Sequence, residues 1–329
     1  MKSPFTGKEM KKVYEKRTWD FRGEKYDYVH ASWLCVDTGE SFTTDETDNV
    51  SYIQVTNQYR VRYGIPFTDE IIAAREFYGL SAAKMSLILG LGTNQWRHYE
   101  AGEVPNVSNG RMIRSIMNPV VFLDYVNSAK NILGEKEFAK LRDKMSVLID
   151  QSSKDEWEEY GLARVFQCAR SVENGFAPLS LIRLRNMLLY ILSRCGEVFC
   201  TKMNKLLFYT DFLAYRRLGM AISGLSYKAI EYGPVPERWD RVYSQFDDIL
   251  QEPRSYGEKE GCVLLSDASA DETVFTAAEL SVLNDVCERF CNSTSTDMTR
   301  ISHEECLWLD NVEGHRIIPF ESAFLLKAI

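Results

Sequence analysis

The sequence predicts a mostly α-helical chain with a small β-rich piece at its N-terminus. Three observations carry this. Residues 1–64 are aromatic and β-prone with turn signals, residues 66–150 switch to a helical apolar period, and helices dominate from about Pro178 onward. The 329 residues are 45% hydrophobic and 26% charged, an ordinary globular composition with enough apolar side chains for two or three cores. That excludes wholesale disorder. No stretch approaches the roughly 20 consecutive apolar residues of a membrane span, and no apolar block follows the lysine-rich Met1–Lys12. A cytoplasmic protein with no membrane partner is expected.

Within residues 1–64, Val13–Arg17 precedes the turn-prone Asp20–Gly23. Lys25–Leu34 then alternates, with Tyr26, Tyr28, His30 and Ser32 opposite Asp27, Val29, Ala31 and Trp33. Two or three short antiparallel strands around a hairpin at Arg22–Gly23 follow. The acidic Asp45–Asp48 reads as an exposed connector. Phe67–Glu70 is a capped helix start, continued by Ile71, Ala74, Arg75 and Tyr78 and ended by Gly79. Ser81 caps a second helix to about Leu89. Gly90-Leu91-Gly92 breaks it, and Thr93 caps a third that ends near Gly102. Ser108–Met117, Val120–Leu133 and Glu135–Ile149 are further helices, and the polar Gln151–Asp155 opens a linker over 151–177. Beyond it, helices are expected at Leu179–Cys195, Thr201–Leu218 and Pro236–Ile249, a polar loop at Arg254–Gly261 and a short strand at Cys262–Leu265. Thr276–Cys291 is a helix with Glu279 at the capping-box position, and Ser302–Glu305 opens one more. The expected domains are 1–64, 65–150 and 178–329.

Of the eight cysteines, Cys35, Cys168, Cys195, Cys200, Cys262, Cys287, Cys291 and Cys306, seven lie in the second half and most inside apolar helical runs. This is no secreted disulfide framework. Cys287 and Cys291 form a Cys-x-x-x-Cys pair without a His or second Cys pair at ligand spacing. They read as buried small hydrophobes in a reducing compartment.

Charge is unevenly divided. The net −8, from 39 Lys and Arg against 47 Asp and Glu, lies in residues 151–329, which hold 19 basic and 27 acidic side chains; residues 1–64 and 65–150 each hold ten of either sign.

Residues 81–102 carry the strongest local signal, two short helices about a glycine-containing turn. A helix-turn-helix needs such a bend to lay its second helix in the major groove with polar side chains near its N-terminus. Thr93, Asn94, Gln95, Arg97 and His98 hold those places, while Leu87, Ile88, Leu91, Trp96 and Tyr99 supply packing. Asn and Gln suit adenine and Arg suits guanine. Ser81, Lys84 and Arg111 are placed for phosphate contacts. Operator DNA is an expected partner, bound by a homodimer or higher oligomer because one such unit rarely binds tightly alone.

The run Met1-Lys2-Ser3-Pro4-Phe5-Thr6-Gly7 and the run Cys35-Val36-Asp37-Thr38-Gly39 have the shape of two Cys-x-x-Cys knuckles. With Asn94-Gln95-Trp96-Arg97-His98-Tyr99-Glu100, they make the first 117 residues resemble MqsA-type antitoxins, a zinc ribbon followed by a helix-turn-helix of the XRE kind. The resemblance implies ligand places at Ser3, Thr6, Cys35 and Thr38. One of the four is a thiol, and hydroxyls are poor zinc donors, so a degenerate ribbon without zinc is expected. Its core falls to Phe5, Trp19, Phe21, Tyr26, Trp33 and Phe42. The arginine that the family carries just before Tyr-Glu is replaced by His98, with Arg97 one place earlier.

A second resemblance rests on Lys205-Leu206-Leu207-Phe208-Tyr209-Thr210-Asp211, Ser223-Gly224-Leu225-Ser226-Tyr227, Glu231-Tyr232-Gly233-Pro234-Val235-Pro236 and Ser302-His303 with Trp308. These residues resemble the Panacea, SocA-like domain, also called DUF4065, over about residues 178–310. It implies an α-helical antitoxin module that neutralises a toxin by direct binding, or in one branch an adaptor presenting the toxin to a protease. Tyr209, Asp211, Tyr227, Tyr232, Gly233 and Pro234 are the expected toxin contacts, with a burial role for Asp211 and Tyr232 equally open.

Catalysis has little support. His30, His98, His303 and His315 are scattered, only His303 has carboxylates beside it, and no phosphate loop, Gly-x-Ser-x-Gly or His-Glu-x-x-His motif occurs. No catalytic residue, metal or cofactor is expected. The sequence reads as the antitoxin of a bacterial or phage-encoded type II pair. It would mask a cognate toxin encoded nearby with its acidic C-terminal half, residues from about 170 sufficing alone, and repress its own operon through the helix-turn-helix. The alternatives are a stand-alone regulator whose C-terminal domain senses a ligand or partner, a proteolytic adaptor, and, more remotely, an enzyme using His303.

Overall fold

The computed structural model describes residues 1–165, 169–256 and 259–329. The chain is mostly helical with small antiparallel sheets. It divides into two compact units, one of residues 1–55 and 165–329 and one of residues 56–164.

β1 (Lys11–Phe21) and β2 (Glu24–Leu34) form a hairpin in register from Lys11↔Leu34 to Phe21↔Glu24, and β3 (Ser41–Phe42) adds to β2. The turn sits at Arg22–Gly23 as expected, and both residues have positive φ, the geometry that matches strand twist in a two-residue loop. The strands are longer than expected. Of the six aromatics assigned to the core, Tyr26 is buried, whereas Phe5 and Trp19 are exposed. Val29, Ala31 and the side chain of Gln54 fill that role, Gln54 pairing with both backbone groups of Val29 at 3.0 Å.

The acidic stretch expected as a connector is instead the first turn of α1 (Asp45–Tyr63), capped from Thr44. Asp45, Glu46 and Asp48 face the positive end of the helix dipole and Arg60 and Arg62 the negative end. The β-rich piece therefore stops near residue 42.

In the second unit, α2 (Thr68–Tyr78), α3 (Ala82–Ile88), α4 (Gln95–Glu100), α5 (Val107–Ser115), α6 (Pro119–Ser128), α7 (Lys130–Leu133) and α8 (Glu135–Val165) follow one another. Ile71, Tyr78, Met85, Trp96, Ile113, Phe122, Val126 and Met145 form its core, with Tyr78 stacked on Phe122 at 4.0 Å. Gly79 ends α2 in the left-handed region, and Ser81 caps α3. α8 runs through residues 151–165, where a linker was expected. Polar composition alone does not stop a helix, and no proline interrupts Glu135–Val165.

The remainder comprises α9 (Leu181–Cys195), β4 (Val198–Phe199), α10 (Cys200–Leu218), β5 (Tyr227–Ile230), β6 (Gly233–Pro236), α11 (Trp239–Val242), β7 (Leu250–Tyr256), β8 (Lys259–Leu265), α12 (Ala277–Phe290), α13 (Ser295–His303) and α14 (Cys306–Leu309). The short strand expected at Cys262–Leu265 lies within β8, and the other strands of this half go beyond the helices expected there. The sheet order is β4-β8-β7, with β5-β6 as a separate hairpin. Of the helix expected over Pro236–Ile249, α11 is the α-helical part, and the ends of β7 and β8 take up the polar loop expected at Arg254–Gly261; Gln251, Glu252, Arg254 and Ser255 of β7 are all exposed, which leaves no alternating signal to read. The capping box of Thr276 and Glu279 opens α12 as expected. Ser302 and His303 end α13 rather than opening a helix, because Thr294 and Asp297 form the capping box eight residues upstream.

α10 is the centre of this unit, buried from Lys202 to Tyr215. Phe212 stacks on Phe320 at 4.2 Å and Tyr209 on Phe290 at 4.7 Å. The N-terminal ribbon belongs to the same unit. Tyr14 meets Phe324 at 5.5 Å, and Gly219 at the end of α10 leaves room for Ile53, whose Cγ2 lies 2.8 Å from where a Cβ would stand.

Candidate functional site

Three constellations carry the expected functional residues. In the unit of residues 56–164, α3 and α4 are joined by the turn Leu89–Asn94, in which Gly90 takes φ 66°. Trp96 and Tyr99 are buried and bind α4 to its neighbours: Trp96 N donates to Ser86 Oγ at 3.1 Å and Asn109 Nδ2 to Tyr99 Oη at 2.8 Å. The opposite face is left to solvent. Thr93, Asn94, Arg97 and His98 are exposed, as is Arg111 on α5. α4 starts at Gln95, one residue later than a Thr93 cap implies, and Asn94 at its N-cap makes no capping bond. Gln95 is committed to Glu103 at 3.1 Å, and Lys84 to Glu137 at 2.7 Å. Ser81 spends its hydroxyl on Lys84 N. Thr93, Asn94, Arg97, His98 and Arg111 are thus the expected DNA contacts that remain available.

At the N-terminus, the four expected ligand places do converge. Gly7 N donates to Ser3 O at 2.9 Å and Gly39 N to Cys35 O at 2.8 Å, making two matched turns with Gly7 and Gly39 at positive φ. Thr6 Oγ1 lies 3.8 Å from Cys35 Sγ, and Ser3 and Thr38 also bond the thiol. The Ser3 hydroxyl, then Thr38, hold the thiol down at about 6. Hydrogen bonds to one sulfur occupy the centre of this knuckle.

In the C-terminal half, three expected toxin contacts lie inside. Tyr209, Asp211 and Tyr227 are each fully buried, so they cannot meet a partner in the folded state. Asp211 accepts from Ile222 N at 2.8 Å, Ser223 N at 2.9 Å, Tyr227 Oη at 2.6 Å and the Ser223 hydroxyl. Burial nevertheless raises its carboxyl above the usual range, outweighing those donors. Tyr209 bonds Glu305, which accepts Lys327 N and Ala328 N at 3.0 Å and so holds the C-terminal tail. Gly233 and Pro234 are buried as well. At Gly233, with φ 106°, a Cβ would stand 2.7 Å from Ser302 Oγ and 2.8 Å from Lys205 Cε. Only glycine fits.

Tyr232 is the exception among the six, 67% exposed. It edges a groove of about 570 Å³ with Thr201, Ser295, Thr296, Thr299, Arg300, His303 and Glu304. His303 stacks on Trp308 at 3.9 Å and 7°, and Trp308 Nε1 donates to Ile230 O at 2.8 Å. Its neighbouring carboxylates are engaged elsewhere, Glu304 with Arg300 at 3.2 Å and Glu305 with the tail. Burial, then Lys205, holds the His303 imidazole below its ordinary value.

Residues 203–309, from the first turns of α10 to the end of α14, match the family described as Antitoxin SocA-like, Panacea domain. The chain carries a C-terminal Panacea domain. Comparison with curated proteins and with solved structures gives no match. Within the Panacea domain, sequence reasoning missed Lys205 and Glu305 as buried charges. Lys205 stands in an apolar run whose helical spacing already pointed its side chain inward; Glu305 carries no such signal. The pairing of Cys195 with Cys291 was likewise missed, since 96 residues separate them.

Proposed function

We propose that this protein is the antitoxin of a bacterial or phage-encoded toxin–antitoxin pair of type II. It neutralises its toxin by direct binding through the Panacea domain and represses its own operon through the helices α3 and α4. The Panacea match over residues 203–309 is the observation that carries this reading. Neutralisation by occlusion needs a presented surface and no bond-breaking step. Tyr232 supplies an exposed aromatic anchor on a rigid hairpin turn between β5 and β6, beside a groove edged by Arg300 and His303. The excess of acidic side chains in residues 151–329 suits a toxin whose working face is basic because it handles nucleic acid or nucleotide.

The second surface is α4 with its preceding turn. Exposed Asn94 and Arg97 have the donor and acceptor pattern that reads base edges, and two copies of the chain place two such helices on one operator.

Co-expression of the full chain with the toxin from the adjacent reading frame tests the reading. Growth is restored by the wild type and by Asn94→Ala/Arg97→Ala, while Tyr232→Ala weakens toxin binding. Each of the two DNA-face changes costs about 1–3 kcal/mol of operator binding, roughly 5–150-fold. If Asn94→Ala/Arg97→Ala abolishes growth rescue along with operator binding, the two activities are not separate. A stand-alone regulator is then the better description.

A further inference from the structure

Five of the cysteines lie around the N-terminal end of α10, and three of them converge. α9 ends on Cys195, α12 ends at Phe290 with Cys291 as its C-cap, and Cys287 lies one turn back on the same face as Cys291. The three sulfurs all lie within 4.8 Å of one another. Cys195 and Cys291 are joined as a disulfide, and Cys287 is a buried free thiol beside it. A disulfide needs two cysteines; the third is surplus to a simple clasp.

We propose that, when the disulfide is reduced, Cys195, Cys287 and Cys291 form a three-thiolate site for a zinc ion. Zinc–sulfur bonds of about 2.3 Å in tetrahedral geometry set sulfurs about 3.8 Å apart, a separation the cluster reaches with small side-chain rotations. Soft thiolate sets favour zinc over the harder divalent ions. The surrounding charge suits the assembled site. Three thiolates and Zn²⁺ sum to one negative charge, and the cations facing the cluster are Lys202, whose Nζ donates to Cys291 O at 2.6 Å, and Arg194. Among the described residues no fourth His, Cys, Asp or Glu joins the group, so water or an external ligand completes the tetrahedron.

The chemistry balances with a phosphine as reductant. The phosphine takes the oxygen of one water and becomes its oxide, the sulfur–sulfur bond becomes two thiols, and zinc then displaces the three thiol protons. Disulfide and metal are therefore alternative occupants of the same three side chains.

The test uses full-length protein, phosphine-reduced or oxidised, titrated with zinc sulfate against a chromophoric chelator, with cadmium as a spectroscopic substitute. Reduced wild type and Cys35→Ser should each bind one zinc per chain, and oxidised protein should bind none at this site. Cys195→Ala, Cys287→Ala and Cys291→Ala should each lose at least the roughly 10–100-fold that removal of even a supporting group costs. Cadmium on reduced wild type should give a thiolate charge-transfer band of three-sulfur intensity, a readout that needs no variant to fold. Absence of stoichiometric zinc on the reduced wild type would overturn the proposal. So would undiminished affinity in Cys287→Ala, which leaves a disulfide with a bystander thiol.

Discussion

Removing the Asp211 carboxylate separates a structural role from a contact role at a residue whose motif suggests either. Asp211→Ala leaves four buried donors without an acceptor: Ile222 N, Ser223 N, the Ser223 hydroxyl and the Tyr227 hydroxyl. A hydrogen bond to a charged group contributes about 1.5–3 kcal/mol, and an orphaned buried donor costs about 1–3 kcal/mol. Against this stands relief of burying the carboxyl, the same burial that raises its pKa. Breaking one partner out of a buried charged network nets about 3–5 kcal/mol of destabilisation. A loss of about 4 kcal/mol lowers Tm by roughly 8–16 °C in a domain of this size. Asp211→Asn keeps an oxygen for the two backbone donors and lets the two hydroxyls rotate to accept, so about 1–2 kcal/mol is expected. Thermal unfolding followed by near-UV circular dichroism reads both. If Asp211→Ala melts within about 2 °C of wild type while losing toxin binding, the burial argument fails and Asp211 is a contact residue.

Three further outcomes follow from the geometry. Lys205 is 1% exposed with one hydrogen bond, to Thr201 O at 3.2 Å, and burial pulls its ammonium from 10.5 down to about 8. Between those values the unfolded chain binds the proton and the folded one does not, so the penalty is fully present below about pH 8 and is relieved as pH rises toward 10.5. Lys205→Met should therefore stabilise by up to about 3 kcal/mol near pH 7, a gain that shrinks toward pH 10 in paired thermal melts; an equal gain at both would refute the assignment. Tyr14→Ala, which uncovers Phe324, should lower the stability of its unit by about 1–3 kcal/mol. A fragment of residues 165–329 should melt lower still, and equal melting of fragment and full chain would remove the ribbon from the folding unit. Finally, Ser3→Cys/Thr6→Cys/Thr38→Cys should gain one zinc per chain over wild type by elemental analysis, and no gain would mean the two turns do not hold ligand distance.

The elements legible from sequence are those whose cause is local. Gly79, Ser81 and the Thr276–Glu279 capping box each act within one helical turn, so α2, α3 and α12 begin or end where the sequence places them. Arg22–Gly23 forces its own hairpin, and the Panacea motifs stand at the turns and helix that build the C-terminal half. Residue identity likewise selects Asn94 and Arg97, because solvent exposure follows from the buried period of Trp96 and Tyr99 on the same helix.

Tertiary structure decided what depends on partners distant in sequence. Asp211 and Tyr232 are both polar and both in motifs, yet one is enclosed by residues 222–227 and the other stands free at a hairpin turn. Lys84 has the right place for a phosphate, but Glu137 claims it from α8. The acidic Asp45–Asp48 becomes helix because the dipole of α1 favours it, and the N-terminal ribbon joins the C-terminal half because Tyr14 and Ile53 find Phe324 and Gly219. Cys195, Cys287 and Cys291 meet only because α9 and α12 end side by side. Burial and proximity are properties of the packed chain, and they turn identical residue types into a core, a surface or a site.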